Sequence, residues 1–545
     1  MFTWLPLADG SVMLTPGGLR ADSFHFEQMV YLGPVLVLVG TALLILLADI
    51  SLRAIRVRGG LPASGSLAIG TLGGLAAAAY AAWFIWKGWG QDAGVELFQA
   101  IGAPGSSDVN NATLRGYQNI GNWQSGALVV DNLSLLVCLI TCGILILTLV
   151  TLFPYLKQRK LFKSELIPLL LLSATGAVLL GMSRDVLVTF ISIEVLSLPL
   201  YVLCGLDERR DASRESSLKY FLLGAFASGF FIYGTALLYG AVGHLNYAAI
   251  EEYFYALTQV GLSGPNSLAA MGVALVGVGI AFKLALVPFQ AWLPDVYQGA
   301  PTPITAFMAS AVKLGIFIAA LRFIIEALNH APESYWRTPL AIFAVASMVI
   351  GNLFALHQMS LKRLLAYSAI THTGYLTLAL CAGSIFAIPG LLVYLVAYYL
   401  ASFGAFTLIA YMAPPGQDDI YLDELSDFGQ RAPALSGAMV ILVLSMIGMP
   451  LTAGFVGKLL VFTSAWNAGL TWLVVVAVLN SVVSAFFYLR ILRSMYMQPA
   501  VPGASQLVLP KMSRGYIIPT AITVALTLVL GILPDMLILL ATGHT

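Results

Sequence analysis

Six ionisable side chains stand where an apolar chain should not hold them. Glu194 lies in the run DVLVTFISIEVLSLPLYVLCGL, between Asp185 and Asp207, which places it near the middle of a hydrophobic stretch. Lys283 lies in VGVGIAFKLALVPFQAW, with no other charge from Tyr253 to Pro294. Lys313 has Asp295 and Arg322 as its nearest charges, and Lys458 has none between Arg431 and Arg490. Lys219 sits closer to the start of its apolar run, after the polar loop DERRDASRES, and His372 lies in AYSAITHTGYLTLAL. An ionised group at the centre of a bilayer costs about 2.5–3.5 kcal/mol on insertion scales, so such residues are kept for a purpose. For Glu194 or any one of the lysines the plain alternative is a snorkelling side chain or a single structural ion pair, and for Lys219 that alternative weighs as much as a functional one; for His372 it is a hydrogen-bonded core residue. One carboxylate, several amines and an imidazole in apolar helices fit a proton relay. Burial disfavours the charged form of each type, and an opposite charge nearby favours it, so moving a neighbour loads or releases a proton. Lysine suits this chemistry because it can become neutral, which arginine cannot.

The elements that position these groups follow from hydropathy. The chain has 545 residues, 59% of them hydrophobic and only 10% charged, with a mean hydropathy of +0.89. A typical soluble domain carries about 25% charged residues, so a soluble enzyme and a nucleic-acid binder are both excluded. The net charge of +1 gives no bulk field for a polyanionic partner. A bilayer core of about 30 Å takes about 20 apolar residues as a helix. Between Glu27 and Asp49 lie 21 uncharged residues and between Arg58 and Lys87 lie 28. Further runs at about 127–153, 165–183, 185–206, 215–243, 268–292, 301–325, 338–358, 364–382, 386–412, 433–463, 470–489 and 516–540 bring the expected helices to 14. The charge-free stretch from Arg363 to Asp418 divides at Gly383–Gly390, whose Gly and Pro punctuate helices.

Loops after odd-numbered helices carry 17 basic residues, among them Arg159, Arg210, Lys362 and Arg363, and the opposite loops carry six. The positive-inside rule therefore predicts both termini outside. Lys219, Lys283, Lys313 and Lys458 are the four basic residues left over from the loops. The first 28 residues lack a basic start and hold Asp9, Asp22 and Glu27, so the first helix is expected to act as the insertion signal. Pro199, Pro288 and Pro450 fall close to the buried charges. Proline inside a span breaks the backbone ladder, and the freed groups must line protein or water. Broken helices in both halves are the sequence sign of a transport site.

Nothing in the chain spells a cofactor site. Cys138, Cys142, Cys204 and Cys381 lie in predicted helices without C-x-x-C spacing, and read as small packing residues. The other histidines lie in loops or near helix ends, without metal-ligand spacing. No phosphate-binding loop or dinucleotide fingerprint occurs, since GVGIAF from Gly277 fails at its last position.

The segment FKLALVPFQAWLPDVYQGAPTP, Phe282 to Pro303, resembles the signature of the antiporter-like membrane subunits of respiratory complex I, the proton-pumping NADH:quinone oxidoreductase. The resemblance runs from about Asp131 to Pro499. Gln290 before the tryptophan, the continuation DVYQGAP and a chain stopping at Thr545 resemble the N-type of these subunits, while the lysine at Lys458 fits the N- or the L-type. The resemblance implies an all-α polytopic membrane protein of fourteen helices. Two inverted five-helix repeats, helices 4–8 and 9–13, would contain broken helices 7 and 12. The prolines of helices 7 and 12 do not align when their lysines do, so the repeat rests on the resemblance alone. The implied divisions are 1–126, with a polar outside segment Gly88–Gly126; 127–330 and 331–499, holding the two repeats; and 500–545, with helix 14.

By the same resemblance the proton path consists of Glu194, Lys219, Lys283, Lys313, His372 and Lys458. Glu194 would pair with Lys219 or Lys283, Lys313 and His372 would relay, and Lys458 would serve the exit or a neighbouring subunit. The function implied is proton translocation, as a subunit of a translocase driven by redox chemistry elsewhere. No cofactor is expected in this chain, while NADH, FMN, iron–sulfur clusters and quinone are implied in partner subunits. The expected partners are other membrane-arm subunits and the lipid of a bacterial cytoplasmic membrane, with no nucleic acid. Three alternatives remain: a subunit of a multisubunit cation/proton antiporter, one of a membrane-bound hydrogenase, or a structural brace of the membrane arm.

Overall fold

The computed structural model describes residues 32–54, 63–89, 123–124, 126–259, 267–384, 387–414, 417–498 and 512–534. Both chain ends and most of the polar segment Gly88–Gly126 lie outside the described residues.

The chain runs as α1 (Gly33–Ala54), α2 (Ala63–Trp89), α3 (Asn132–Arg159), α4 (Leu166–Met182), α5 (Val186–Cys204) and α6 (Asp211–Val242). A short amphipathic helix, Tyr247–Gln259, follows in what hydropathy marks as a loop. Then come α7a (Ser267–Leu284), α7b (Trp292–Gly299), α8 (Thr302–Ala327), α9 (Glu333–Leu356), α10 (Leu361–Ala382) and α11 (Ala387–Met412). The last are α12a (Pro433–Ile447), α12b (Ala453–Asn467), α13 (Thr471–Met497) and α14 (Arg514–Ile532). Twelve of these helices are long and apolar enough to cross a membrane. The 17-residue α4 and the two-part α12 complete the fourteen expected from the sequence.

Polar residues set the helix starts. Asp131 and Ser134 form a reciprocal capping box on α3. Asp185 Oδ1 accepts from the amides of Leu187 at 2.8 Å and Val188 at 3.2 Å at the start of α5. Ser360 Oγ accepts from the Arg363 amide at 3.2 Å at the start of α10. Both expected breaks occur. Between α7a and α7b, Ala285 takes a left-handed φ of 58°, followed by Pro288. Between α12a and α12b, Gly448 at φ 89° and Leu451 at φ 70° flank Pro450. Lys283 precedes its break and Lys458 follows its own, which is why the two segments do not align by both lysine and proline.

Burial is uneven, and its distribution places the site. The most apolar windows of α8, α10 and α11 are 100%, 94% and 94% buried within the chain, against 28% and 33% for α1 and α2. Lys313 and His372 thus belong to the innermost helices. Close packing there needs glycine: a side-chain carbon at Gly457 of α12b would stand 2.6 Å from the Tyr394 backbone of α11.

Two ion clusters tie the ends of the bundle. At the end opposite the basic loops, Arg322 of α8 meets Asp131 at 2.6 Å and Glu326 at 2.9 Å, and Arg184 meets Glu326 at 2.6 Å. At the basic-loop end, Asp418 in the α11–α12a connection meets Arg159 at 2.7 Å and Arg210 at 2.8 Å.

Candidate polar axis through the helix bundle

The first half of the site is built on one face of α5. Glu194, Ser197 and Tyr201 follow at i, i+3 and i+7, a spacing that stacks side chains along a helix. Lys283, in the last turn of α7a and 3% exposed, reaches across to this face. Its Nζ donates to Ser197 Oγ and to Tyr201 OH, both at 2.9 Å. Nζ also stands 5.3 Å from the Tyr201 ring centroid and 5.8 Å from that of Tyr220, within cation–π range. Half-buried Glu194 accepts from Ser228 Oγ of α6 at 2.5 Å. No ion pair joins Glu194 to either lysine among the described residues; Ser197 stands between Glu194 and Lys283 on the α5 face.

Lys219 lies elsewhere. Its side chain is 39% exposed and pairs with Asp295 of α7b and Glu215, each at 2.6 Å. Asp295 in turn takes Arg363 at 2.7 Å. Lys219 therefore sits in a surface network at the basic-loop end, and of the two partners considered for Glu194 the structure brings only Lys283 to its face of α5.

The second half centres on α10. Lys313 follows a π-helical turn, Met308–Val312, the irregularity that often marks a functional position in a helix. Its Nζ donates to the Ala369 carbonyl at 3.0 Å and to Thr373 Oγ1 at 2.7 Å. Next to Thr373, His372 is 1% exposed. Its Nδ1 lies 2.8 Å from Tyr394 OH, its Nε2 lies 3.0 Å from Tyr488 OH, and its ring stacks on Tyr398 with centroids 4.3 Å apart. Lys458 Nζ donates to the Ile447 carbonyl at 2.8 Å and Ser481 Oγ at 3.0 Å, and stands 5.0 Å from the Tyr375 ring. Tyr375, one turn beyond His372, packs on that imidazole with centroids 5.8 Å apart. Lys313, His372 and Lys458 thus share one tyrosine-lined interior.

Each buried amine bonds neutral hydroxyls or carbonyls, which serve it charged or neutral. Such partners let a proton come and go without stranding a counter-charge, as a carboxylate partner would. A chain of hydroxyls and imidazole accepts and donates in turn. Among the described residues no group of His, Cys, Asp and Glu could hold a metal ion.

Sequence reasoning missed several members. The tyrosines gave no signal, because tyrosine is common in apolar helices. Outside the axis, Lys362, the second residue of α10, sits beside Arg363 in what hydropathy marks as a loop, yet it is 0% exposed.

Broken helices and ionisable side chains held inside a membrane bundle are the features of transport proteins. The family model for the membrane domain of NADH:quinone oxidoreductase and Mrp antiporter subunits matches residues 183–484. The chain belongs to this family. Among its relatives, NADH-quinone oxidoreductase subunit N 1 of Herpetosiphon aurantiacus is 40% identical over 374 residues, covering 69% of this chain and 76% of the relative. Subunit N of Mycobacterium tuberculosis (strain H37Rv) is 41% identical over 379 residues, covering 68% and 70%. Among solved structures, a chain of respiratory complex I from Thermus thermophilus superposes with a TM-score of 0.72 at 32% identity, covering 93% of this chain and 99% of that one. A chain of the Mrp complex from Dietzia sp. DQ12-45-1b shares the fold, with a TM-score of 0.67 at 21% identity over 87% and 95%.

Proposed function

We propose that this chain is a proton-translocating membrane-arm subunit of an NADH:quinone oxidoreductase, in the position of subunit N. The observation that carries the reading is the set of buried amines and imidazole hydrogen-bonded to hydroxyls and carbonyls inside the bundle. Glu194 biases Lys283 across Ser197; Lys313 and His372 relay; Lys458 passes the proton to an exit or a neighbouring subunit. Lys219 belongs to the approach at the basic-loop end, held by Asp295 and Glu215. The NADH, FMN, iron–sulfur clusters and quinone belong to partner subunits, whose redox steps drive the motion of protons here. The chain spans a bacterial cytoplasmic membrane with the basic loops inside and both termini outside.

The same helices serve cation/proton antiporters, and the family includes them. The likeness of about 40% to subunit N sequences favours the oxidoreductase. A purely structural brace has no use for buried lysines without counter-ions. Glu194→Gln and Lys283→Ala, each assembled into the whole complex in sealed vesicles, are expected to cut proton pumping while leaving assembly intact. Normal pumping by both overturns the proposal.

A further inference from the structure

Lys362 is a buried cation that the axis described above does not use. It opens α10, the helix of His372, at the basic-loop end of the bundle. It is 0% exposed, and its Nζ donates to the Ala300 carbonyl at 2.7 Å, between α7b and α8. An ammonium has three protons to donate, and this carbonyl is its hydrogen-bond acceptor among the described residues. The nearest acids, Asp418 and Asp419, act on it through space without coming within ion-pair distance. Asp418 is already engaged by Arg159 and Arg210, and Asp419 by Ser360 at 2.8 Å and Gln298 at 2.6 Å. A purely structural cation would be matched by a dedicated carboxylate, because a buried charge is costly unless paired. Lys362 has none.

Half-buried Gln298 and Arg363 stand near it on the outer side. A polar cavity of about 360 Å³ opens at this end, lined by Arg210, Asp295, Gln298, Gly299, Arg363 and Asp419 among others. Gly299 adjoins Ala300, and Arg363 and Asp419 flank the ends of the Ser360–Arg363 turn, so Lys362 lies directly behind the cavity wall. Further along α10 lies a hydrogen-bonded series of polar groups. Ser368 stands six residues on, about 9 Å along the helix axis, and His372 ten residues on, about 15 Å. Ser368 Oγ hydrogen-bonds Tyr488 OH, which in turn lies 3.0 Å from His372 Nε2.

We propose that Lys362 is a proton-loading residue, which takes protons from the Asp419-lined cavity and delivers them toward His372 by way of Ser368 and Tyr488. This rests on the proton-translocating function proposed above. Neutral Lys362 gains one proton from solvent and becomes an ammonium; it becomes an amine again when that proton passes inward. No electron and no heavy atom moves.

The test uses the whole complex in sealed vesicles, with proton uptake measured per NADH oxidised. Lys362→Arg keeps the charge but cannot release a proton, and Lys362→Met removes both. Both are expected to lower proton pumping severalfold at normal assembly. Pumping restored by arginine but not by methionine shows a structural charge and overturns the proposal, as does normal pumping in both. If neither variant assembles, Ser368→Ala decides: a severalfold loss supports the route and unchanged pumping overturns it. Lys283→Ala measured alongside separates the two claims. Loss there with normal Lys362 variants removes Lys362 alone, whereas normal pumping in every variant removes the function proposed for the chain.

Discussion

Asp418 offers the clearest perturbation. Its carboxylate is 1% exposed and receives Arg159 at 2.7 Å, Arg210 at 2.8 Å and the hydroxyl of Tyr155. Arg159 also donates to the Gln417 carbonyl at 3.1 Å, so one acid fastens the α11–α12a connection to α3 and to the start of α6. Asp418→Asn keeps the shape and removes the charge. Removing one partner of a buried pair costs about 3–5 kcal/mol, because the remaining charge stays buried. Arg159, 4% exposed, bears most of that cost, and Arg210, 18% exposed, regains some solvation. The lower figure, about 3 kcal/mol, is still more than a hundredfold in an opening equilibrium, at 1.4 kcal/mol per tenfold.

The assay is amide hydrogen exchange at Leu422, whose N–H donates to the Met359 carbonyl at 3.0 Å and so reports opening of this connection. Protection is expected to fall about a hundredfold in Asp418→Asn. Burial raises the Asp418 pKa, but Lys362, Arg159 and Arg210 outweigh it and hold the carboxyl below its ordinary range. A depressed folded-state value means the stabilisation is complete above the ordinary pKa of about 3.9 and is lost as pH falls through the lower one. The difference between wild type and variant should therefore be constant from pH 5 upward and narrow only below about pH 4. Protection unchanged within threefold at pH 7 refutes the reasoning.

Two further outcomes follow from packing. Arg322→Met strands Asp131, which is 6% exposed, and loosens Glu326; a loss of about 3–5 kcal/mol is expected, read as poor recovery of assembled complex. Normal recovery contradicts it. Gly457→Val forces α12b away from the Tyr394 backbone, at a cost of about 1–3 kcal/mol, and disturbs both Lys458 and the Tyr394 partner of His372. Pumping should fall more than the thermal midpoint of the complex does; equal losses contradict it.

Much of this was legible in the chain because lipid leaves few options. Scarce charge delimited the spans, and the lysines left over from the loops pointed into them. Pro288 and Pro450 announced the breaks that α7 and α12 show. Spacing could not place Lys219, because its partner Asp295 lies 76 residues away on α7b. Lys362 was hidden by the same limit: a charge beside Arg363 looks like loop, and only tertiary packing shows that the lysine turns inward while the arginine meets Asp295. Asp131 and Arg322 stand 191 positions apart, so no spacing rule joins them. The tyrosines around His372 carry no pattern at all, since an apolar helix uses the same residue for packing and for its hydroxyl.

The claim that protons cross this chain through its buried amines is tested most directly by protons pumped per NADH oxidised in sealed vesicles carrying Glu194→Gln. The account predicts that this ratio falls while NADH oxidation by assembled complex persists. An unchanged ratio at normal assembly contradicts it.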